Sequence, residues 1–198
     1  GNDYLIIEPT VGGWGACKGH DGQVGLFCVG DGETYNVPVE MAETRYGIRV
    51  DEHSLHTDGA GAGEYRGGSG AVRVYRSMNE NQTFTASFGR NKWPVWGAAG
   101  GKDGSVNYFQ FIDADGTVSE PMGIAARRVM NTNDVVRMVT ATGGGYGNPF
   151  KRPAEKVAMD VKNEYITVEQ AKADYGVLVD PETFKVLGLT KERQKAEK

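Results

Sequence analysis

Through the first 150 residues the apolar positions come in short bursts, not helical stripes. Residues 4–8, 24–29, 48–55, 72–77, 83–88, 106–112 and 135–142 are rich in Val, Ile, Thr and aromatic side chains, and glycine or Asx turns separate them. Runs of that length and composition predict strands. The clearest hairpin runs from 106–112 through Asp113-Ala114-Asp115-Gly116 to Thr117-Val118. Asp-Gly supplies the positive φ that a tight hairpin turn requires. Asn131-Thr132-Asn133-Asp134 predicts a second turn. No helical pattern of 10–15 residues interrupts this stretch, which argues against parallel βαβ units and for an antiparallel sandwich or barrel.

After residue 150 the pattern changes. Pro153 suits the first turn of a helix reaching about Asn163, although Val157, Met159 and Val161 are not cleanly spaced for one. Thr167-Val168-Glu169-Gln170 fits a capping box, and that helix should run to Tyr175 and stop at Gly176. Asp180-Pro181-Glu182-Thr183 predicts a short turn or helix, and the charged stretch from Thr190 should fray. The expected architecture is mainly β, an antiparallel glycine-rich sandwich or barrel over residues 1–150, with a short α-helical C-terminal tail over 151–198.

Composition sharpens this division. Of 29 glycines among 198 residues, 27 lie before residue 151. They show no collagen period, and only 7 prolines accompany them. The net charge of −4, without a basic stripe, speaks against nucleic acid as a partner. No apolar run approaches the length of a membrane span, and no signal peptide is visible. Cys17 and Cys28 are too few for a disulfide scaffold and read as reduced thiols of a cytoplasmic protein. The chain opens on Gly1, directly before the apolar run Leu5-Ile6-Ile7. The expectation is a start in mid-domain, as in a processed, split or truncated chain.

A search for chemistry excludes more than it finds. No Walker loop occurs. Gly59-Ala60-Gly61-Ala62-Gly63-Glu64-Tyr65-Arg66 misses a dinucleotide fingerprint, because Arg66 stands at the third glycine and a strand follows. His53 and His56, at odd spacing on a strand, face opposite ways and cannot share a metal ion. Asp113-Ala114-Asp115-Gly116 lacks the remaining ligands of a calcium loop. Gly67-Gly68-Ser69-Gly70-Ala71 is not a nucleophile elbow. Trp14, Trp93 and Trp96 sit in glycine- or proline-flanked segments, and read either as interface anchors or as lids over a sheet end.

Read in order, the glycine motifs carry more. Val11-Gly12-Gly13-Trp14-Gly15-Ala16 precedes Gly19-His20-Asp21-Gly22, then Tyr35-Asn36-Val37-Pro38-Val39-Glu40 and Glu43-Thr44-Arg45-Tyr46-Gly47. Gly61-Ala62-Gly63-Glu64-Tyr65-Arg66-Gly67-Gly68, Trp96-Gly97-Ala98-Ala99-Gly100-Gly101 and Thr142-Gly143-Gly144-Gly145-Tyr146-Gly147-Asn148-Pro149 follow. This set, with Val168-Glu169-Gln170-Ala171 onward in the tail, resembles the C-terminal part of the hydantoinase B/oxoprolinase family from about Gly12 to Val179.

The resemblance implies a C-terminal portion, or small subunit, of a multisubunit ATP-dependent carboxylase or hydantoinase that is inactive alone. Such complexes include hydantoinases, 5-oxoprolinases and the biotin-independent acetone and acetophenone carboxylases. The implied chemistry is phosphorylation of an enolate or amide oxygen before carboxylation or ring hydrolysis. The implied partners are a hydantoinase A-type subunit, which uses ATP and Mg, and the N-terminal part of a hydantoinase B-type subunit. The family's divalent metal would lie elsewhere in the complex, so no metal ligand is carried onto this chain. The stretch before Asn36, Gly25-Leu26-Phe27-Cys28-Val29-Gly30-Asp31-Gly32, lacks the histidines of many hydantoinase-like members, which leans toward a carboxylase-like branch.

Polar residues inside the matched motifs are the site candidates: His20, Asp21, Glu40 and Arg45 for catalysis, Asn36 and Arg66 for substrate binding. Pro38 stiffens the segment between Asn36 and Glu40, and Arg45 and Arg66 suit a carboxylate, bicarbonate or phosphate. Two other readings stay open. One is a non-catalytic subunit scaffolding such a complex, in which these side chains stabilise turns or subunit contacts. The other is a standalone β-sandwich binding domain.

Overall fold

The structure, a computed structural model, describes residues 4–27 and 35–196. Its frame is a four-stranded antiparallel sheet in the order β1-β2-β6-β4, formed by β1 (Ile48–His56), β2 (Gly70–Ser77), β4 (Tyr108–Ile112) and β6 (Val135–Val139). A separate antiparallel ribbon pairs β3 (Gln82–Ser87) with β5 (Ile124–Met130). In β3 burial alternates strictly, so Phe84 and Ala86 point inward and Thr83 and Thr85 outward. Phe84 meets Phe109 and Phe111 of β4 edge to face at 5.8 and 5.6 Å. Phe109, Phe111, Met130, Val136 and Met138 form the core beneath that ribbon. Val72, Val74, Val135 and Val139 form a second core, with Tyr108 and Ile112 against them.

The glycine-rich loops are not a sheet. Segment 140–147 bonds to three others: to 12–16 through Gly13 N–H to Ala141 O (3.0 Å) and Ala16 N–H to Gly144 O (2.9 Å), and to 61–68 through Gly61 N–H to Gly143 O (2.9 Å). The third is 98–102, through Ala98 N–H to Gly145 O and Gly145 N–H to Lys102 O, both 2.9 Å. A sheet strand has two neighbours; three require backbone groups pointing around the segment, as in an extended chain with three residues per turn. Side chains are excluded from this bundle. A Cβ on Gly143 would lie 1.9 Å from the Trp14 carbonyl oxygen, and one on Gly67 equally close to that of Gly143. The glycine excess of the first 150 residues is therefore a packing requirement.

The tail is a small α/β layer: a 3-10 turn at Pro149–Lys151, α2 (Ala154–Lys162), α3 (Val168–Tyr175), a hairpin of β7 (Val177–Val179) and β8 (Val186–Leu189), and α4 (Lys191–Ala196). Val157, Val161, Ile166, Ala171, Tyr175 and Val177 bury their side chains together with Ala62 from the bundle. The Thr167–Gln170 capping box is present, and Gly176 ends α3 in a left-handed conformation.

Several expectations change. Residues 4–8 join no sheet, and residues 24–27 form no strand beyond the isolated bridge between Leu26 and Gly12; 28 and 29 lie outside the described residues. The 135–142 run leaves the sheet after Val139 to enter the bundle. The 113–116 and 131–134 turns form as expected, although Val118 makes only a bridge to Ile112. Strands β5, β7 and β8 were not anticipated. Nor was α1 (Val39–Tyr46), which buries only Ala42 and so has no apolar stripe to read. Thr190 onward does not fray: α4 buries Arg193, whose guanidinium donates to the carbonyls of Tyr175 (3.0 Å) and Arg152 (2.8 Å).

Candidate functional site

Two clusters of buried charge stand out. The first lies where the tail meets the bundle. Asp21, on the segment after the Cys17–His20 turn, receives both terminal nitrogens of Arg152 at 2.7 and 2.9 Å. Arg152 Nε and Nη2 also reach Asp160 of α2, at 2.9 and 2.8 Å, and Nη1 reaches Glu64 O at 3.1 Å. Arg66 donates its backbone N–H to Asp21 (2.7 Å), its Nη1 to Gly67 O (2.7 Å), and stacks on Tyr165 at 4.3 Å. Its Nε stands 3.6 Å from Asp160. Arg152 is 2% exposed and Arg66 4%.

Burial opposes ionisation of Asp21, but the hydrogen bonds and charge of Arg152, with the Arg66 amide, outweigh it and hold the carboxyl below its ordinary value. Asp160 goes the other way. Its deeper burial dominates, the neighbouring Asp21 charge adds to it, and the carboxyl is raised despite both arginines. This is a dense ion network, suited to fixing geometry: the Arg152 guanidinium is committed to two carboxylates and a carbonyl, while the buried Arg66 Nε makes no hydrogen bond and only faces Asp160.

The second cluster lies on the β1/β2 face of the sheet. Glu8 accepts from the Val37 amide (2.8 Å), from the Tyr75 hydroxyl and from Arg73 Nη1 (3.2 Å). Burial and that carboxylate raise the Tyr75 hydroxyl pKa. His53, opposite Arg73 in the β1/β2 register, is pushed down by burial and the Arg73 charge. Asn36 donates to Pro9 O (3.0 Å) and lines a narrow cavity with His53, Arg73 and Thr140. Glu8 thus ties the 4–10 segment and residues 35–38 to the sheet.

The structure brings Asp21 and Arg66 together and puts Asn36 in the second cluster. It does not bring the other candidates there. His20 is exposed in a tight turn, with paired backbone bonds to Cys17 at 3.1 Å. Glu40 and Arg45 are exposed on α1, their side chains without a hydrogen bond or ion pair among the described residues. Sequence reasoning did not single out Arg152, Asp160, Glu8, Arg73 or Tyr75. Each is a charged or polar residue in an ordinary-looking run, and only burial distinguishes it. His56 donates its Nδ1–H to Thr140 O (2.8 Å) on the face opposite His53. Among the described residues no three His, Cys, Asp or Glu side chains could hold a metal, and no helix is long and apolar enough to cross a membrane.

The chain resembles known proteins over most of its length. It is 29% identical to a protein assigned as the B component of a D-/L-hydantoinase from a Pseudomonas strain, over 90% of this chain and 30% of that one. It is 29% identical to the beta chain of the Pseudomonas jessenii caprolactamase, over 89% of this chain and 31% of that one. An uncharacterised Methanocaldococcus jannaschii protein is 34% identical over 73% of this chain and 25% of its own length. The chain thus spans about a third or less of the curated relatives it matches. Among solved structures, the ATP-dependent caprolactamase of Pseudomonas jessenii superposes with a TM-score of 0.69 at 26% identity, covering 94% of this chain and 32% of that one. A nucleotide-free acetone carboxylase superposes at 0.74, covering 94% and 29%, and at 17% identity it shows the shared fold alone. The family model of hydantoinase B/oxoprolinase matches residues 1–149, the whole glycine-rich body, and the chain belongs to that family.

Proposed function

We propose that this chain serves as one portion, in the C-terminal position, of a hydantoinase B-type subunit within an ATP-dependent complex that opens a cyclic amide. The observation that supports this most is the family match over residues 1–149 in a chain spanning only about a third of its relatives. The caprolactamase likeness, 26–29% identical by structure and sequence, favours amide hydrolysis over ketone carboxylation. Carboxylation, toward which the missing histidines lean, is the alternative reaction.

In this reading a cytoplasmic hydantoinase A-type partner binds ATP and Mg. Among the described residues no three His, Cys, Asp or Glu side chains are grouped to hold a metal. Phosphorylation of the amide oxygen would make its carbon electrophilic; water would add there, the ring C–N bond would break with the nitrogen leaving as the amine, and a second water would hydrolyse the acyl phosphate to carboxylate and phosphate. This chain would supply a rigid platform carrying α1, with Glu40 and Arg45 exposed toward substrate or partner. A scaffold without site residues is favoured by one specific finding: Asp21 and Arg66 are already committed to Arg152 and Asp160.

The deciding experiment is native mass spectrometry of the protein from its source, followed by ATP-dependent assays of the whole assembly on a hydantoin, a lactam and a ketone with bicarbonate. Co-migration with large partners and ATP-coupled lactam or hydantoin opening are expected. A lone monomer would sink the proposal. In the same assembly, Glu40→Gln and Arg45→Met should lower turnover with the complex still assembled if α1 reaches the site. Unchanged turnover favours the scaffold.

A further inference from the structure

An indole surface stands out on the rigid bundle. Trp93 is 78% exposed and Trp96 68%. They sit in Arg90-Asn91-Lys92-Trp93-Pro94-Val95-Trp96, where Arg90 lies over the Trp96 ring at 4.7 Å and Arg90 and Lys92 are both exposed. The loop is held in place. Gly97 N–H donates to Asp103 (2.8 Å), Gly104 N–H to Val95 O (2.8 Å), and Ala98 N–H to the central glycine segment. Alongside runs an open cleft of about 310 Å³, walled by Trp14, Phe88 and Val95 and floored by the backbone of Gly13 and Gly89. Asn107 fixes its wall by donating to Gly89 O (2.6 Å) and accepting from Ala141 N–H (2.6 Å). Side chains are free to enter, since even a Cβ on Gly89 would meet nothing within 4 Å.

We propose that this surface, Trp93 and Trp96 with the adjoining cleft, is the seat for the portion of a hydantoinase B-type polypeptide outside the matched third. The inference rests on the membership proposed above and adds where the contact lies. Three observations point to that occupant. In the relatives about 70% of the length lies outside the matched part, and there it must meet this fold somewhere. Two exposed indoles on a backbone-held loop, beside a cleft of mixed polar and apolar lining, have the make-up of an interface centre, where aromatic anchors are enriched. Arg90 and Lys92 flank the indoles, so the seated segment should present an acidic side chain beside an apolar one, the acid meeting the stacked Arg90.

The test compares the free chain with the assembly purified from its source. Hydroxyl-radical footprinting should modify Trp93 and Trp96 readily in the free chain and about ten-fold less in the assembly, with cross-links from Lys92 to the B-type remainder. Trp93→Ala/Trp96→Ala should weaken incorporation by about a hundred-fold, the range of interface hot spots, and leave the melting temperature of the free chain unchanged. Arg90→Glu/Lys92→Glu should also weaken it, more at low salt. If the assembly forms with both indoles as reactive as in the free chain, the docking inference falls and the membership stands. If the indoles are protected by a different polypeptide, the assignment of the occupant falls. If no assembly exists, both fall.

Discussion

Arg152 spends nearly its whole donor fork on two carboxylates and a carbonyl. Removing either carboxylate leaves part of a buried guanidinium without a partner. Asp21 has a folded pKa below its ordinary 3.8, so the stability it contributes is complete above that value and is lost as pH falls through the folded one. Asp160 is raised, so its own contribution declines as pH climbs from the ordinary value to the folded one. Asp21→Asn should cost about 1–3 kcal/mol near neutral pH, less than a fully buried pair because Asp21 is partly exposed. Its melting temperature should also fall less steeply than wild type as the pH drops below the ordinary carboxyl value of 3.8. Equal slopes for the two proteins would assign the acid sensitivity to other carboxylates, such as Asp51 with Arg76 and Arg49. Asp21 and Arg66 were legible as polar residues in glycine motifs. Their partners in the tail, Arg152 for Asp21 and Asp160 for Arg66, were not, because each lies more than 80 residues further along the chain, in a tail that reads as surface.

Among the elements, the glycine bundle differs most from what a strand pattern suggests. Runs of β-branched and aromatic residues marked β1 to β4 and β6; side chains alternate in burial along β3 and β4, while β2 and β6 are buried almost throughout. β5, Ile-Ala-Ala-Arg-Arg-Val-Met, is mostly exposed, so it carries little apolar periodicity. α3 announced itself through its cap, while α1 carried only end signals, Glu40 in its first turn and the left-handed Gly47 after its last, with no side-chain cap from Pro38 and no apolar stripe. The bundle has no periodicity, because backbone rather than side chains packs there. Gly143→Ala should therefore cost about 3 kcal/mol, the upper range of overpacking, since the obstructing atoms are backbone. At this chain length that lowers the melting temperature by about 6–12 °C. Gly89→Ala, into open space, should change stability by less than about 0.5 kcal/mol. Scanning calorimetry of the two variants decides the matter; equal effects would mean that glycine serves conformation there and not contact.

For the whole molecule, the composition break near residue 150 marks a change from strand to helix, yet Ala62, Asp21 and Arg66 reach across it. Contacts of that kind couple the unfolding of the two parts. The chain should melt in one transition, with calorimetric and van't Hoff enthalpies equal. Two resolved transitions would show that body and tail are independent units. The sequence could mark the division but not the weld, since buried ion pairs between distant residues leave no local pattern.

The three-sided bonding of segment 140–147 also has a temporal side. Its neighbours are drawn from residues 12–16, 61–68 and 98–102, and none can complete its contacts until that last segment arrives. Closing such distant loops is slow. During synthesis the earlier glycine segments can bond to one another, as Gly68 N–H to Trp14 O and Lys102 N–H to Ala62 O do, but their groups facing 140–147 must wait. The body therefore closes only after most of the chain has emerged, when the tail that welds it is already being synthesised.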